Sequence, residues 1–273
     1  MSSVETAGAA PVFLLEGVTY RYPDGEIGVN NLDLSVGERE RIVLLGANGS
    51  GKSTLLRILD GLIFPSDGLV HTFGQVLNEK SLSEEVFNYD FRRRVGFVFQ
   101  NSETQLFSST VWDEIAFGPL HMGMEEPEIR RRVSEVLELV GIEAIKDRPP
   151  FKLSGGEKKK VALAAVLATN PDVLLLDEPT AALDPRTERW LVDMLIQLGK
   201  FGKTIITATH HLDIVEEISD RVLIFGEDHR VAATGPPSEL LSEKELLLHV
   251  NLIDPRFHKH SHGGDHRHYH IHD

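Results

Sequence analysis

Hydrophobic and polar positions change rhythm along this chain, and each change marks an element. From Val12 to about Leu45, short β-rich pieces alternate with turns: VFLLEGVTYRYP, an Asp24-Gly25 turn, then NLDLSVGERE. Arg41–Leu45 (RIVLL) suits a short buried strand, and a glycine-rich loop follows it at once. Behind the loop, Leu55, Ile58, Leu59 and Leu62 fall at i, i+3, i+4 and i+7, which predicts a helix with one apolar face. Val95–Phe99 reads as another strand. Residues 126–141 read as a helix opened by Pro127 in its first turn and closed by Gly141, and a third helix over Gly156–Thr169 stops at Asn170-Pro171. Val173–Leu176, Thr204–Thr209 and Arg221–Phe225 are continuous apolar or β-branched runs separated by helical stretches. Strands buried on both faces and alternating with helices predict a parallel sheet of the α/β class. No internal repeat interrupts the pattern.

Composition narrows the chemistry. The 273 residues are 41% hydrophobic and 26% charged, enough for one large domain with appendages. With no cysteine, disulfides, zinc–thiolate sites, iron–sulfur clusters and thiol nucleophiles are excluded. A net charge of −14 disfavours the broad basic surface that duplex nucleic acid needs, so no nucleic-acid partner is expected. No apolar run approaches the roughly 20 residues that span a bilayer, and MSSVETAGAAPV lacks the features of a secretory signal. These features predict a cytoplasmic protein.

The strongest local motif is GANGSGKST, Gly46–Thr54, which satisfies G-x-x-x-x-G-K-[ST] between a strand and a helix. Gly46, Asn48, Gly49, Ser50, Gly51 and Thr54 belong to a phosphate cradle. Gly49 and Gly51 let backbone amides turn inward, while the helix start adds its positive dipole end. Lys52 supplies a point charge for the β- and γ-phosphates of a nucleotide, and the Ser53 hydroxyl is placed for Mg²⁺. In VLLLDEP, Asp177 ends a buried strand where it can hold the Mg²⁺ shell, and Glu178 beside it is positioned to activate water. LSGGE, Leu153–Glu157, is a second amide-rich helix start; Ser154, Gly155 and Gly156 suit an anion. One γ-phosphate could use both helix starts if two chains met head to tail.

From about Val12 to about Gly235 these motifs resemble the ATP-binding subunit of ABC transporters. The resemblance implies a P-loop NTPase of α/β class with a parallel-sheet core, an N-terminal antiparallel β subdomain and a helical subdomain, working as a nucleotide-sandwich dimer. It implies that Tyr22, thirty residues before Lys52, stacks on adenine, with Tyr20 its competitor. It also implies that Gln100 touches Mg²⁺ and the attacking water, that Asp184 in ALDP crosses the dimer interface, and that His210 is the switch histidine at the γ-phosphate. His211, next to it, competes on register. Glu157 stands where the family has glutamine, and Ala181 stands where it commonly has serine.

Phe99–Pro119 (FQNSETQLFSSTVWDEIAFGP) resembles the corresponding stretch of energy-coupling-factor importers for cobalt, nickel and some vitamins. There, Leu106, Phe107, Val111, Trp112 and Phe117 are expected to form an exposed groove for a transmembrane coupling subunit. The tail is a separate signal. Seven of thirteen histidines, His258, His260, His262, His266, His268, His270 and His272, fall in the last sixteen residues. They alternate with Lys, Ser, Gly, Asp, Arg and Tyr, unlike an affinity tag, and offer imidazoles to Ni²⁺ or Co²⁺.

Other classes fit less well. DNA-repair ATPases of this kind need long coiled coils between P-loop and signature, yet Lys52 and Ser154 are only 102 residues apart. A nickel-insertion GTPase needs Asn-Lys-x-Asp, which does not occur. The P-loop, Asp177 and Glu178 argue against a metal store without turnover. The expectation is an ATPase powering nickel or cobalt import, with vitamin uptake as the alternative. Its partners would be a second ATPase copy, a transmembrane coupling subunit and a metal-binding membrane subunit, at the cytoplasmic face of the membrane. The expected organisation is a disordered start (1–11), an ATPase domain (12–240, helical subdomain about 101–154), a C-terminal helix and linker (241–257) and the histidine tail (258–273).

Overall fold

A computed structural model describes residues 10–254 and the backbone of 257–261 and 267–271. The order of elements is β1 (Phe13–Arg21), β2 (Ile27–Val36), β3 (Arg41–Leu45), α1 (Lys52–Leu59), β4 (Asp67–Thr72), β5 (Gln75–Val76), α2 (Glu79–Ser83), α3 (Glu85–Arg94) and β6 (Val95–Val98). Then come α4 (Val111–His121), α5 (Glu126–Val140), α6 (Gly155–Leu167), β7 (Val173–Asp177), α7 (Pro185–Lys200), β8 (Thr204–Thr209) and α8 (Val215–Ile218). The chain closes with β9 (Arg221–Phe225), β10 (Val231–Gly235), α9 (Pro237–Leu240), α10 (Lys244–His249), β11 (Phe257–Ser261) and β12 (Arg267–Ile271).

Among the described residues, six strands form the central sheet in the order β10-β9-β3-β8-β7-β6. The pairs from β9 to β6 are parallel, and β10 adds an antiparallel edge to β9. The sheet is therefore mixed, where the sequence pattern predicted a parallel one. A second, antiparallel sheet runs β2-β1-β4-β5. Its last two strands were not legible in the sequence, because Asp67–Thr72 exposes Asp67, Gly68 and Leu69 and shows little apolar alternation.

The strand pleat divides the core in two. Val43, Leu45, Leu174, Leu176, Val222 and Ile224 face the layer holding α4 to α7. Their sequence neighbours Ile42, Leu44, Val173, Leu175, Leu223 and Phe225 face α1 and the antiparallel sheet. Two-sided burial is why these strands read as continuous apolar runs.

Helix α1 ends at Leu59, so the predicted apolar stripe stops one turn early. Gly61 follows with φ 65°, and Leu62 lies on the surface at 46% exposure. Helix α5 starts with Pro in its first turn, and Gly141 closes it in the left-handed conformation at φ 70°. Of the expected apolar groove, Val111 is instead fully buried in the core. Leu106 and Trp112 pack half-buried against that core, and only Phe107 and Phe117 are exposed. Val111 is the first residue of α4, after the Thr110 cap, and that turn packs inward. The expected disordered start lies, for residues 1–9, outside the described residues.

Candidate functional site

The P-loop is built by one strand end, one loop and one helix start. β3 carries the chain to the middle of the sheet, and α1 begins at Lys52 behind Gly51. Gly51 has φ 106°, and a Cβ there would sit 2.1 Å from the Gly28 carbonyl oxygen. Only glycine lets the β2 backbone approach this closely. Lys52 is buried, and its ammonium donates to the carbonyls of Gly46 at 2.6 Å and Ala47 at 2.9 Å. Its pKa is lowered chiefly by burial, against the pull of Glu178 and Asp177.

The acidic pair arrives on the neighbouring part of the sheet. Ser53 donates to Asp177 Oδ1 at 2.7 Å across 124 residues of sequence. Burial pushes the Asp177 carboxyl up, while the Ser53 hydrogen bond opposes the shift. Glu178 is buried, with Oε1 3.8 Å from Lys52 Nζ and Oε2 3.0 Å from His210 Nδ1. Its backbone is held at φ 42°, in the left-handed region where a side chain with a Cβ is strained. The His211 ring lies tilted beside that of His210, with centroids 4.4 Å apart, and makes no bond to Glu178. Of the two, His210 is the one that touches Glu178.

Tyr22 is similarly distinguished from Tyr20. Tyr22 lines the P-loop cleft, and its hydroxyl lies 2.6 Å from Thr54 Oγ1. Tyr20 meets the Tyr22 ring edge-on at 5.1 Å and packs on the core. Asn48, Gly49, Ser50, Gln100 and Glu178 line the same cleft, as does His229, which nothing in the sequence marks out. His229 reaches the cleft from the β9–β10 turn, where its own carbonyl accepts from the Asn30 amide at 3.0 Å. Ser50 Oγ, Glu178 Oε1 and His229 Nδ1 are buried polar atoms without a hydrogen-bond partner. Such atoms are rare in a folded chain unless a polar ligand completes them. The Ser53 hydroxyl and the carboxylates are hard oxygen donors, the set Mg²⁺ prefers, and the residues fit that ion.

The signature lies in a different cleft, lined by Ser154, Gly156, Glu157, Lys160, Asp184 and Thr187 among others, and shares no residue with the P-loop cleft. Ser154 caps α6 in a reciprocal capping box. Glu157 N donates to Ser154 Oγ at 3.3 Å, and the Glu157 carboxylate accepts from Ser154 N at 2.8 Å. The charge of Glu157 is thus spent on the cap, and the Ser154 amide and hydroxyl hold its pKa down. A Cβ on Gly155 would meet nothing within 4 Å, whereas one on Gly156 would press on Thr187 Oγ1 at 2.9 Å. Asp184 caps α7, accepting from the amides of Arg186 and Thr187 at 3.0 and 3.1 Å. The two clefts therefore do not meet within the chain.

A further contact joins the halves through the helical layer. Lys159, buried on α6, donates to the carbonyls of Gln100 at 2.9 Å and Phe99 at 3.3 Å. Burial pushes its amine down to about 8. Sequence reading missed this lysine because it is one of three in a row. Of the tail, His262, His266 and His272 lie outside the described residues, and only the backbone is described for His258, His260, His268 and His270. Among the described residues no helix is long and apolar enough to cross a membrane.

Comparison with known proteins identifies the family. A family model described as ABC transporter matches residues 29–181. The chain is 48% identical over 246 residues to the nickel import ATP-binding protein NikO of Rhodobacter capsulatus, covering 89% of this chain and 96% of that one. It is 43% identical over 241 residues to the energy-coupling factor transporter ATP-binding protein EcfA of Carboxydothermus hydrogenoformans, covering 88% and 86%. Among solved structures, cbiO1 of Clostridium perfringens, described as part of the ABC transporter complex cbiONQ, superposes with a TM-score of 0.76 at 38% identity. That match covers 91% of this chain and 97% of that one.

Proposed function

The chain belongs to the ABC transporter family of ATP-binding subunits, and from that premise we propose that it powers import of nickel or cobalt ions through separate membrane subunits. As a member of the family it binds and hydrolyses ATP. Lys52 and the Gly49–Gly51 turn hold the phosphates, and Tyr22 at the cleft edge takes the adenine. Ser53, Asp177 and Gln100 would hold Mg²⁺, which supplies positive charge against the polyphosphate. Glu178 takes a proton from the attacking water, and His210, hydrogen-bonded to its Oε2, keeps that carboxylate turned toward the cleft.

Separation of the two clefts supports a head-to-tail pair, a homodimer in this reading. Ser154, Gly155, Gly156 and Asp184 of one copy would complete the phosphate shell of the other. The membrane partners are a coupling subunit and a metal-binding subunit, which place the chain at the cytoplasmic face of the membrane. Phe107, 66% exposed, meets Phe117 edge-on at 4.8 Å, and His121 tilts over Phe117 at 4.0 Å. This aromatic group beside the Gln100 loop suits an apolar helix of the coupling subunit.

The observation carrying the metal reading is the likeness to the nickel-import protein along nearly the whole of both chains. The likeness to the energy-coupling factor protein favours a second reading, an ATPase for vitamin uptake whose tail only buffers or senses metal. Uptake of ⁶³Ni²⁺, ⁵⁷Co²⁺ and labelled vitamins separates them, in cells producing this chain together with candidate membrane subunits of each kind. Metal uptake that stops with Glu178→Gln is expected; vitamin uptake without metal uptake would favour the second reading.

A further inference from the structure

The histidine tail is not absorbed by the ATPase, and its backbone has an order of its own. Strands β11 and β12 pair antiparallel, with His258 opposite His270, Lys259 opposite Tyr269 and His260 opposite His268. Phe257 pairs with Ile271 and Ser261 with Arg267 at the ends. Successive residues of a strand alternate between its two faces. This register therefore places His258, His260, His268 and His270 together on one face, which holds no other residue type. The apolar and remaining polar residues share the other face. A slip of one residue would move one strand's histidines to the opposite side, so the register itself gathers the four.

We propose that this face of the hairpin is a binding site for one divalent first-row transition cation, distinct from the ATP cleft. Directly opposed positions on antiparallel strands lie about 5 Å apart between Cβ atoms, and positions two along a strand about 7 Å apart. The four positions frame a rectangle with its centre about 4 Å from each corner, close enough for one ion to be shared between the two strands. Four nitrogen donors select Ni²⁺, Cu²⁺, Zn²⁺ or Co²⁺ over Mg²⁺ and Ca²⁺. A two-stranded hairpin is marginal in water; here β12 also contacts the Leu212–Ile214 turn, and an ion bridging both strands would add to that support, since metal-binding energy then becomes folding energy. His262 and His266 fall between the two strands in the sequence and His272 after them, outside the described face, so the site does not require them. The site does not depend on which solute the transporter carries.

Calorimetry with Ni²⁺ alone, on the full-length, metal-stripped chain, tests the assignment. The native protein should show one dominant site per chain. Replacing His258, His260, His268 and His270 with Ala should weaken it by more than about 100-fold, and His258→Ala with His260→Ala should do nearly as much, because one strand alone cannot frame the ion. Replacing His262, His266 and His272 with Ala should change affinity by less than about threefold. ATP binding, unchanged in every variant, reports that the rest of the chain is folded. Equal losses from the two sets would overturn the proposal in favour of an unordered pool of imidazoles, and so would absence of Ni²⁺ binding by the native chain.

Discussion

A carboxylate at Gly155 separates the role of the signature in the dimer from any role in the monomer. A Cβ there meets nothing within 4 Å, so Gly155→Asp needs no rearrangement of its own chain. Gly155 is the first residue of α6, behind the Ser154 cap, where a negative charge stabilises a helix by about 0.3–1 kcal/mol. The monomer should therefore fold and bind ATP as before. Across a head-to-tail interface the same charge confronts the terminal phosphate. At about 5 Å and an effective dielectric of about 20, that repulsion is about 3 kcal/mol per unit of phosphate charge. It corresponds to roughly two decades in the dimerisation constant. Nucleotide titration of dilute monomer should give an ATP affinity within about twofold of native, while turnover falls by at least about 100-fold. In a Glu178→Gln background, sizing with ATP should show the dimer lost. Gly155→Asn, similar in shape and uncharged, should lose far less. ATP affinity of the monomer falling in step with turnover would refute the two-chain site, as would native hydrolysis by Gly155→Asp.

Three further outcomes are expected. Lys52→Ala should abolish ATP binding, whereas Glu178→Gln should keep binding, stop hydrolysis and trap an ATP-bound dimer on a sizing column; native turnover by Glu178→Gln would remove it as the base. Lys159→Met should lower kcat about 5- to 30-fold (roughly 1–2 kcal/mol) with little change in KM for ATP, because it frees the Gln100 carbonyl while leaving the phosphate contacts intact, and Lys159→Arg should restore most of the rate. Asp60, buried beside Arg92, has its carboxyl pushed from 3.8 to about 7 by burial, so the folded chain holds that proton more tightly than the unfolded one. Native stability should then fall, relative to Asp60→Asn, as pH rises from about 4 to about 7; urea unfolding should show the gap widening by about 3 kcal/mol between pH 5 and pH 8, and a gap independent of pH would contradict the assignment.

The sequence alone determined whatever depends on consecutive residues. The phosphate cradle needs a strand, a turn with inward amides and a helix start in direct succession, and Arg41–Leu59 spells out all three. The Ser154 cap and its Glu157 partner are likewise three residues apart, and Pro127 and Gly141 bound α5 because each acts on its own backbone. Tertiary structure decided what depends on residues far apart in the chain. It bonded Tyr22, not Tyr20, to Thr54, and His210, not His211, to Glu178. It drew Val111 into the core, completed the antiparallel sheet with β4 and β5, and brought in His229 and Lys159, which no local pattern distinguishes. Ser53 and Asp177 show the reason most simply. Their bond spans 124 residues, and it exists because β3 and β7 lie on either side of β8 in one sheet. Motifs written within a turn or two fix local backbone geometry, whereas strand order and the packing of two cores fix which distant side chains meet.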